Sequence, residues 1–148
     1  MDKEYRKIQE LRANDNSRHV EGYAIIFNSL SEDLGFYETI EKTAIDEDVI
    51  KKSDCFCLLD HNSEKVLARS KYGVGNLKLE IDDKGLKYSF DALDNELGNT
   101  LLSYIRSGII DSSSFCFTVA KDHWETKDGE DYRTVEKIDM LFDVSPVY

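Results

Sequence analysis

The dipeptide Asp128-Gly129 stands between two runs with strand character, Ser113–Ala120 and Thr134–Val144. Asp-Gly is a strong hairpin signal, because the type I′ turn, whose twist matches that of the strands, requires positive φ at both central residues. A hairpin closed there without a bulge pairs Phe115 with Phe142, Phe117 with Met140 and Val119 with Ile138, and sets Lys121 opposite Glu136. All three apolar pairs fall on one face, and a slip of one residue would set aromatics against charges. The other face carries Ser114, Cys116 and Thr118, small side chains over which an extended chain could pass. The same register places Ser114 directly opposite Asp143.

The remaining pattern is also rich in strands. His19–Leu30 is β-branched and aromatic and reads as a strand, with Phe36–Lys42 as its neighbour. Asp54–Leu59 is a further apolar strand that ends at Asp60-His61-Asn62. Val74–Ile81 and Leu86–Ala92 form a second hairpin around Asp83-Lys84-Gly85. Thr43-x-x-Asp46 has the form of a helix start, with a short helix over Asp46–Lys52. Asp94 is placed to cap a second helix carrying Leu97, Leu101, Tyr104 and Ile105 on one side, which Gly108 stops. Residues 1–18 are polar and read as an arm or a helix, leaving residues 19–148 as one domain. About seven strands with two or three helices predict an α+β, mainly β fold: a small, mostly antiparallel barrel with helices packed outside.

Charge and cysteine content exclude several function classes. With 19 Lys and Arg against 30 Asp and Glu, the net charge is −11. Such a chain is poorly suited to phosphate backbones or anionic membranes, so neither nucleic acid nor a membrane is expected as a partner. The N-terminal residues are charged throughout and do not read as a secretory signal. An odd count of three cysteines then points to reduced thiols.

Three histidines are available as a base: His19, His61 and His123. His61 ends an apolar strand where sheet meets loop, a common setting for catalytic groups. Ser114, His61 and Asp143 together have the composition of a nucleophile, a general base and an orienting carboxylate. Blander readings stand beside this one: a strand-end serine capping a backbone group, and a surface histidine. Cys55 or Cys57 beside His61 is a rival nucleophile, although both lie in the apolar run CFCLL, where cysteine usually serves as packing. Cys-x-Cys with one His falls short of a zinc site, and Gly73-Val74-Gly75 lacks the further glycine and helix of a phosphate loop.

The segments LLDHNSEKVLARSKYGVGNLKLEIDDKGL, ELGNTLLSYIRSGIIDSSSFCFTV and RTVEKIDMLFDVSPVY, in that order, resemble the tailed-bacteriophage prohead (head maturation) serine proteases. That family typically carries His-Asn or His-Asp before Leu-Ala-Arg, then a Ser-Phe-x-Phe strand and an Asp/Glu-Val-Ser-x-Val strand. GYAIIF, FYETIEKTAI and the helix before Gly108 fit as well, so the resemblance covers residues 20–148. The family is similar in turn to the herpesvirus assembly protease (assemblin), a mostly antiparallel barrel ringed by helices.

The resemblance implies a serine endopeptidase that needs no cofactor or metal. It would cleave scaffold protein, or a scaffolding segment of the capsid protein, and itself, inside the assembling prohead in the host cytoplasm. Capsid and scaffold proteins are the implied partners, and self-association is left open. The family His matches His61 and the family Ser matches Ser114. The second His of the herpesvirus enzyme aligns with Asp143, in preference to Glu136 or Asp139. Arg69 matches the Leu-Ala-Arg position, with a structural or substrate-facing role. IIDSS departs from the usual Gly-Met before the serine, which leaves Ser113 as a competing nucleophile. Family members usually continue through a Pro-Ala-Tyr-like segment, whereas this sequence ends at Tyr148. An inactive barrel that binds capsid or scaffold, and a Cys-dependent hydrolase, are the alternatives.

Overall fold

The structure, a computed structural model, describes all residues from Met1 to Tyr148. The chain runs β1 (Glu4–Ile8), β2 (Leu11–Ala13), β3 (His19–Ile26), β4 (Tyr37–Ile40), α1 (Glu47–Lys52), β5 (Asp54–Leu58), β6 (Val66–Lys71), β7 (Val74–Gly75), β8 (Lys78–Ile81), β9 (Gly85–Asp91), α2 (Glu96–Arg106), β10 (Ser112–Lys127) and β11 (Glu130–Val147). Short 3-10 turns occupy Lys42–Ala44 and Leu59–His61.

Strand accounts for 53% of the chain and helix for 16%, so the mainly β expectation holds. The strands hydrogen-bond in two sheets, and neither closes on itself. One has the order β1-β10-β11-β5-β6-β7 with β4 also on β11, and the other has the order β2-β3-β9-β8. A single closed barrel is therefore not seen in the pairing. Both sheets feed one core: Val20 and Ile25 of β3, Leu86 and Tyr88 of β9, Phe115 and Phe117 of β10, and Val135, Ile138, Leu141 and Val144 of β11 are all buried in it. Burying side chains of this size contributes about 1.5–3 kcal/mol each, which makes this shared core the main support of the fold.

Several expectations need correction. The first 18 residues are neither arm nor helix, since β1 pairs with β10 and β2 with β3. Their pattern hides this because the inward side of β1 carries Glu4 and Arg6, which face an ion cluster. β4 does not pair with β3; it runs parallel to β11, with Tyr132 opposite Tyr37. α1 starts one residue later than expected, with Asp46 as the cap accepting the Val49 N–H at 3.1 Å. α2 is capped by Asn95 rather than Asp94. Val74 leaves the second hairpin and pairs with β6.

The β10–β11 hairpin turns at Asp128-Gly129, with φ of 54° and 79° at the two residues. Its register follows the unbulged pairing from Lys127↔Glu130 back to Asp122↔Val135 and again at Val119↔Ile138. Register shifts between Cys116 and Asp122 then displace the ladder. Phe115 faces Val144 and Phe117 faces Leu141, not Phe142 and Met140. Asp143 faces Cys116, and Ser145 stands opposite Ser114. The bulges let buried Leu141 and Val144 take the core positions and leave Met140 and Phe142 half-buried. The displacement at the base is two residues, so Asp143 still lies on the face of Ser114. The expected Lys121–Glu136 ion pair forms at 3.7 Å, although Lys121 faces Lys137 in the ladder.

Gly22 of β3 serves as a crossing point for the corner between β1 and β2. A Cβ there would lie 2.4 Å from the Glu10 carbonyl oxygen and 2.8 Å from Ser113 Oγ. Glycine thus allows the N-terminal segment to pass from one sheet to the other against the base of β10.

Candidate active site

The buried run of β5 carries the chain to Leu59, and Asp60 and His61 then both adopt left-handed backbone, with φ of 53° and 58°. Non-glycine residues in that region cost on the order of 1–3 kcal/mol each, so the surrounding structure must over-determine them. A knot of backbone bonds does this. Leu59 N–H donates to the Lys65 carbonyl at 3.0 Å, Asn62 N–H to the Leu59 carbonyl at 3.0 Å, and Lys65 N–H to the Asn62 carbonyl at 2.9 Å. The Asn62 side chain accepts from Glu64 N–H at 2.9 Å.

The knot aims the imidazole across β11 toward β10. His61 Nε2 lies 2.7 Å from Ser114 Oγ, and His61 Nδ1 lies 2.5 Å from Asp143 Oδ1. A carboxylate accepts only, so Nδ1 carries the proton and Nε2 is left to accept the Ser114 O–H. The contact to Asp143 is short, as charge-assisted bonds are. The structure thus brings together Ser114, His61 and Asp143, although the ladder does not pair the serine with the carboxylate. Ser114 is only 4% exposed, so its face is more covered than a bare strand would be.

Ser145 escaped the sequence reading. It donates to Asp143 Oδ1 at 2.7 Å and accepts the Leu58 N–H at 3.3 Å, joining the carboxylate to the strand that leads to His61. Its place in Asp-Val-Ser, two residues after Asp143 and on the same strand face, was the available signal.

Ser113 is turned into the protein. It donates to the Glu10 carbonyl at 2.7 Å and therefore accepts from the Tyr88 hydroxyl at 2.5 Å. These contacts make Ser113 part of the buried corner, away from His61. The other histidines lie elsewhere: His19 contacts Asp91 at 3.3 Å and His123 contacts Glu125 at 3.0 Å. Glu136 and Asp139 pair with Lys121 and Lys52.

Cys55, Cys57 and Cys116 are buried and free. Burial pushes the Cys55 and Cys57 thiols well above their ordinary pKa, and the Asp143 carboxylate adds to this. They are therefore held as neutral packing groups, contrary to the thiol-nucleophile reading. Arg69 clasps Asp54 with two bonds of 2.9 and 2.5 Å and lies over the Phe56 ring at 4.5 Å, tying β6 to β5. No cluster of three or more His, Cys, Asp or Glu side chains is arranged to hold a metal ion. No helix is long and apolar enough to cross a membrane.

A serine held against an imidazole that is itself fixed by a carboxylate has the chemistry of acyl transfer, the reaction of serine hydrolases. Comparison with known proteins narrows this class. The family profile described as Caudovirus prohead serine protease matches residues 6–148, and the chain belongs to that family. It is thus a phage head-maturation protease. Among solved structures it is similar to the bacteriophage T4 capsid assembly protease gp21, with a TM-score of 0.58 and 11% identity over 100% of this chain and 99% of that one. At that identity the likeness speaks for a shared fold. A search of curated proteins gives no match.

Proposed function

We propose that the chain is a Ser-His-Asp endopeptidase in which Ser114 is the nucleophile, His61 the general base and Asp143 the orienting carboxylate. One observation carries this reading: a single imidazole lies 2.7 Å from Ser114 Oγ and 2.5 Å from Asp143 Oδ1. Ser114 Oγ attacks the scissile carbonyl while His61 Nε2 takes its proton, forming a tetrahedral intermediate. The imidazolium, stabilised by Asp143, returns the proton to the leaving amine as the C–N bond breaks. Water then attacks the acyl-enzyme, with His61 again as base, and releases the second product and the free serine.

By family, the substrates are scaffold protein or a scaffolding segment of the capsid protein, and the protease itself, cleaved inside the assembling prohead. An assembled nucleophile and base favour this over an inactive capsid-binding barrel. The test is labelling with a fluorophosphonate, followed by mass spectrometry of a co-expression with the phage's capsid and scaffold proteins. Modification at Ser114 and new termini in those partners are expected. An unlabelled protein that still binds capsid would restore the inactive-barrel reading, and loss of cleavage on thiol alkylation alone would favour a cysteine.

A further inference from the structure

Two hydrogen bonds, one at each ring nitrogen, fix the axis of the His61 imidazole but leave the ring free to rock about the line joining them. Something must pack against the ring to stop that motion. The aromatic partner of His61 is Tyr5 of β1, with ring centroids 4.9 Å apart and planes at 83°. We propose that Tyr5 is a positioning residue for His61, and that the N-terminal strand is part of the catalytic apparatus. The proposal rests on the reading of His61 as the general base.

The ladder explains how a residue so early in the chain arrives there. Tyr5 pairs with Cys116, and Cys116 pairs with Asp143, so the three lie in one row across β1, β10 and β11. The next row is Lys7, Ser114 and Ser145. The imidazole bonds to a member of each row and meets Tyr5 at the end of the first.

The other face of β1 fastens it. Arg6 Nε donates to Glu38 at 2.7 Å, and Arg133 holds both carboxylate oxygens of Glu4 at 2.5 and 3.0 Å. Arg133 Nε also donates to Asp122 at 2.8 Å. The Glu38 and Arg133 side chains are only 2% and 8% exposed, so these charges depend on one another for compensation. The alternating side chains of β1 thus do two jobs: Glu4 and Arg6 anchor the strand, and Tyr5 reaches the site. Tyr5 itself is 53% exposed, so little of the fold's stability rests on its ring.

The experiment compares Tyr5→Ala and Tyr5→Phe with the parent protein. The readouts are the rate of acylation by a small fluorophosphonate, kcat and KM for a peptide substrate, thermal midpoint, and the NMR shifts of the His61 ring protons. Misplacement of a reacting group by about 1 Å can cost on the order of 10²-fold. Tyr5→Ala is expected to slow acylation and lower kcat by about 10- to 100-fold, with KM and thermal midpoint nearly unchanged and the His61 ring protons shifted. Tyr5→Phe, which keeps the ring, restores the parent rate and shifts. Parent-like acylation and His61 shifts in Tyr5→Ala overturn the proposal, and so does a Tyr5→Phe protein as slow as Tyr5→Ala. Failure of the underlying reading looks different: His61→Ala would then acylate at the parent rate, or the probe would not label Ser114.

Discussion

The two ends of the β10–β11 hairpin differ in almost every respect. Toward the tip, Asp122–Lys127 pairs with Glu130–Val135 in simple succession, and every residue from Lys121 to Asp131 is exposed. Toward the base, Ser112–Thr118 is buried throughout, the register is displaced by bulges, and the ladder supplies Ser114, Asp143 and Ser145. The tip obeys local turn chemistry. The base obeys two tertiary demands at once, core packing on one face and the His61 hydrogen bonds on the other. Bulges between the two let a locally specified ribbon deliver a globally specified site. Substitutions on the His61-facing side of the base should therefore act on rate, and substitutions at the tip on stability alone.

The sharpest contrast lies within the base, between adjacent serines on opposite faces. Ser114→Ala should leave a folded protein whose proteolysis falls by on the order of 10³ to 10⁶ in kcat. Ser113→Ala removes a hydroxyl that serves both the Glu10 carbonyl and Tyr88. It should cost about 1–3 kcal/mol of stability while the folded fraction stays active. Peptide cleavage and chemical denaturation on both variants measure the difference. An active Ser114→Ala beside an inactive, folded Ser113→Ala would reverse the assignment of the two faces.

One strand over, Asp143 and Ser145 separate orientation of the base from orientation of its carboxylate. Asp143→Asn keeps the shape but offers an amide to Nδ1, favouring the wrong tautomer, and should lower kcat by roughly 10⁴. Ser145→Ala leaves the carboxylate in place but removes one donor to Oδ1 and the acceptor for Leu58 N–H. A lost buried hydrogen bond of about 1–2 kcal/mol corresponds to a drop of about 5- to 30-fold, read as kcat on the same peptide. If Ser145→Ala fell as far as Asp143→Asn, the serine would be acting on the reacting atoms rather than on the carboxylate's position.

What could be read in advance follows the same division. The Asp128-Gly129 turn and the Phe115–Phe117 alternation are local signals, and both the turn and the core face of β10 are where those residues put them. The register at Asp143 is not local: it depends on Leu141 and Val144 entering the core, which no pairing drawn from the turn alone contains. An even displacement moved the partner of Ser114 without moving Asp143 off its face, so the constellation could be named from a ladder that does not exist in detail. β1 was invisible for a related reason. A strand whose inward side chains are Glu4 and Arg6 has no apolar period, and its burial is intelligible only once Glu38 and Arg133 arrive from β4 and β11. Ser145 and Tyr5 gain meaning only through partners distant in sequence.

The smallest expected effects belong to the tip and to the first register shift beside it, and they bear most directly on whether the bulges nearer Asp143 insulate the site. Gly129 has φ of 79°, where a Cβ is strained although no atom lies within 4 Å of its place. Gly129→Ala should therefore cost about 1–2 kcal/mol through backbone conformation alone. That lowers the thermal midpoint by about 2–8 °C for a chain of this size. Glu136→Gln removes an ion pair to Lys121, whose side chain is 71% exposed, and should change stability by no more than about 0.5 kcal/mol. Neither variant should alter kcat, because the displacement of the ladder toward Asp143 lies between the altered residues and the site. Thermal melts and peptide kinetics on the two proteins measure both quantities. A loss of kcat in Gly129→Ala out of proportion to its melting shift would mean that strain at the turn travels along the ladder to Asp143, and that the two ends of the hairpin are one mechanical unit.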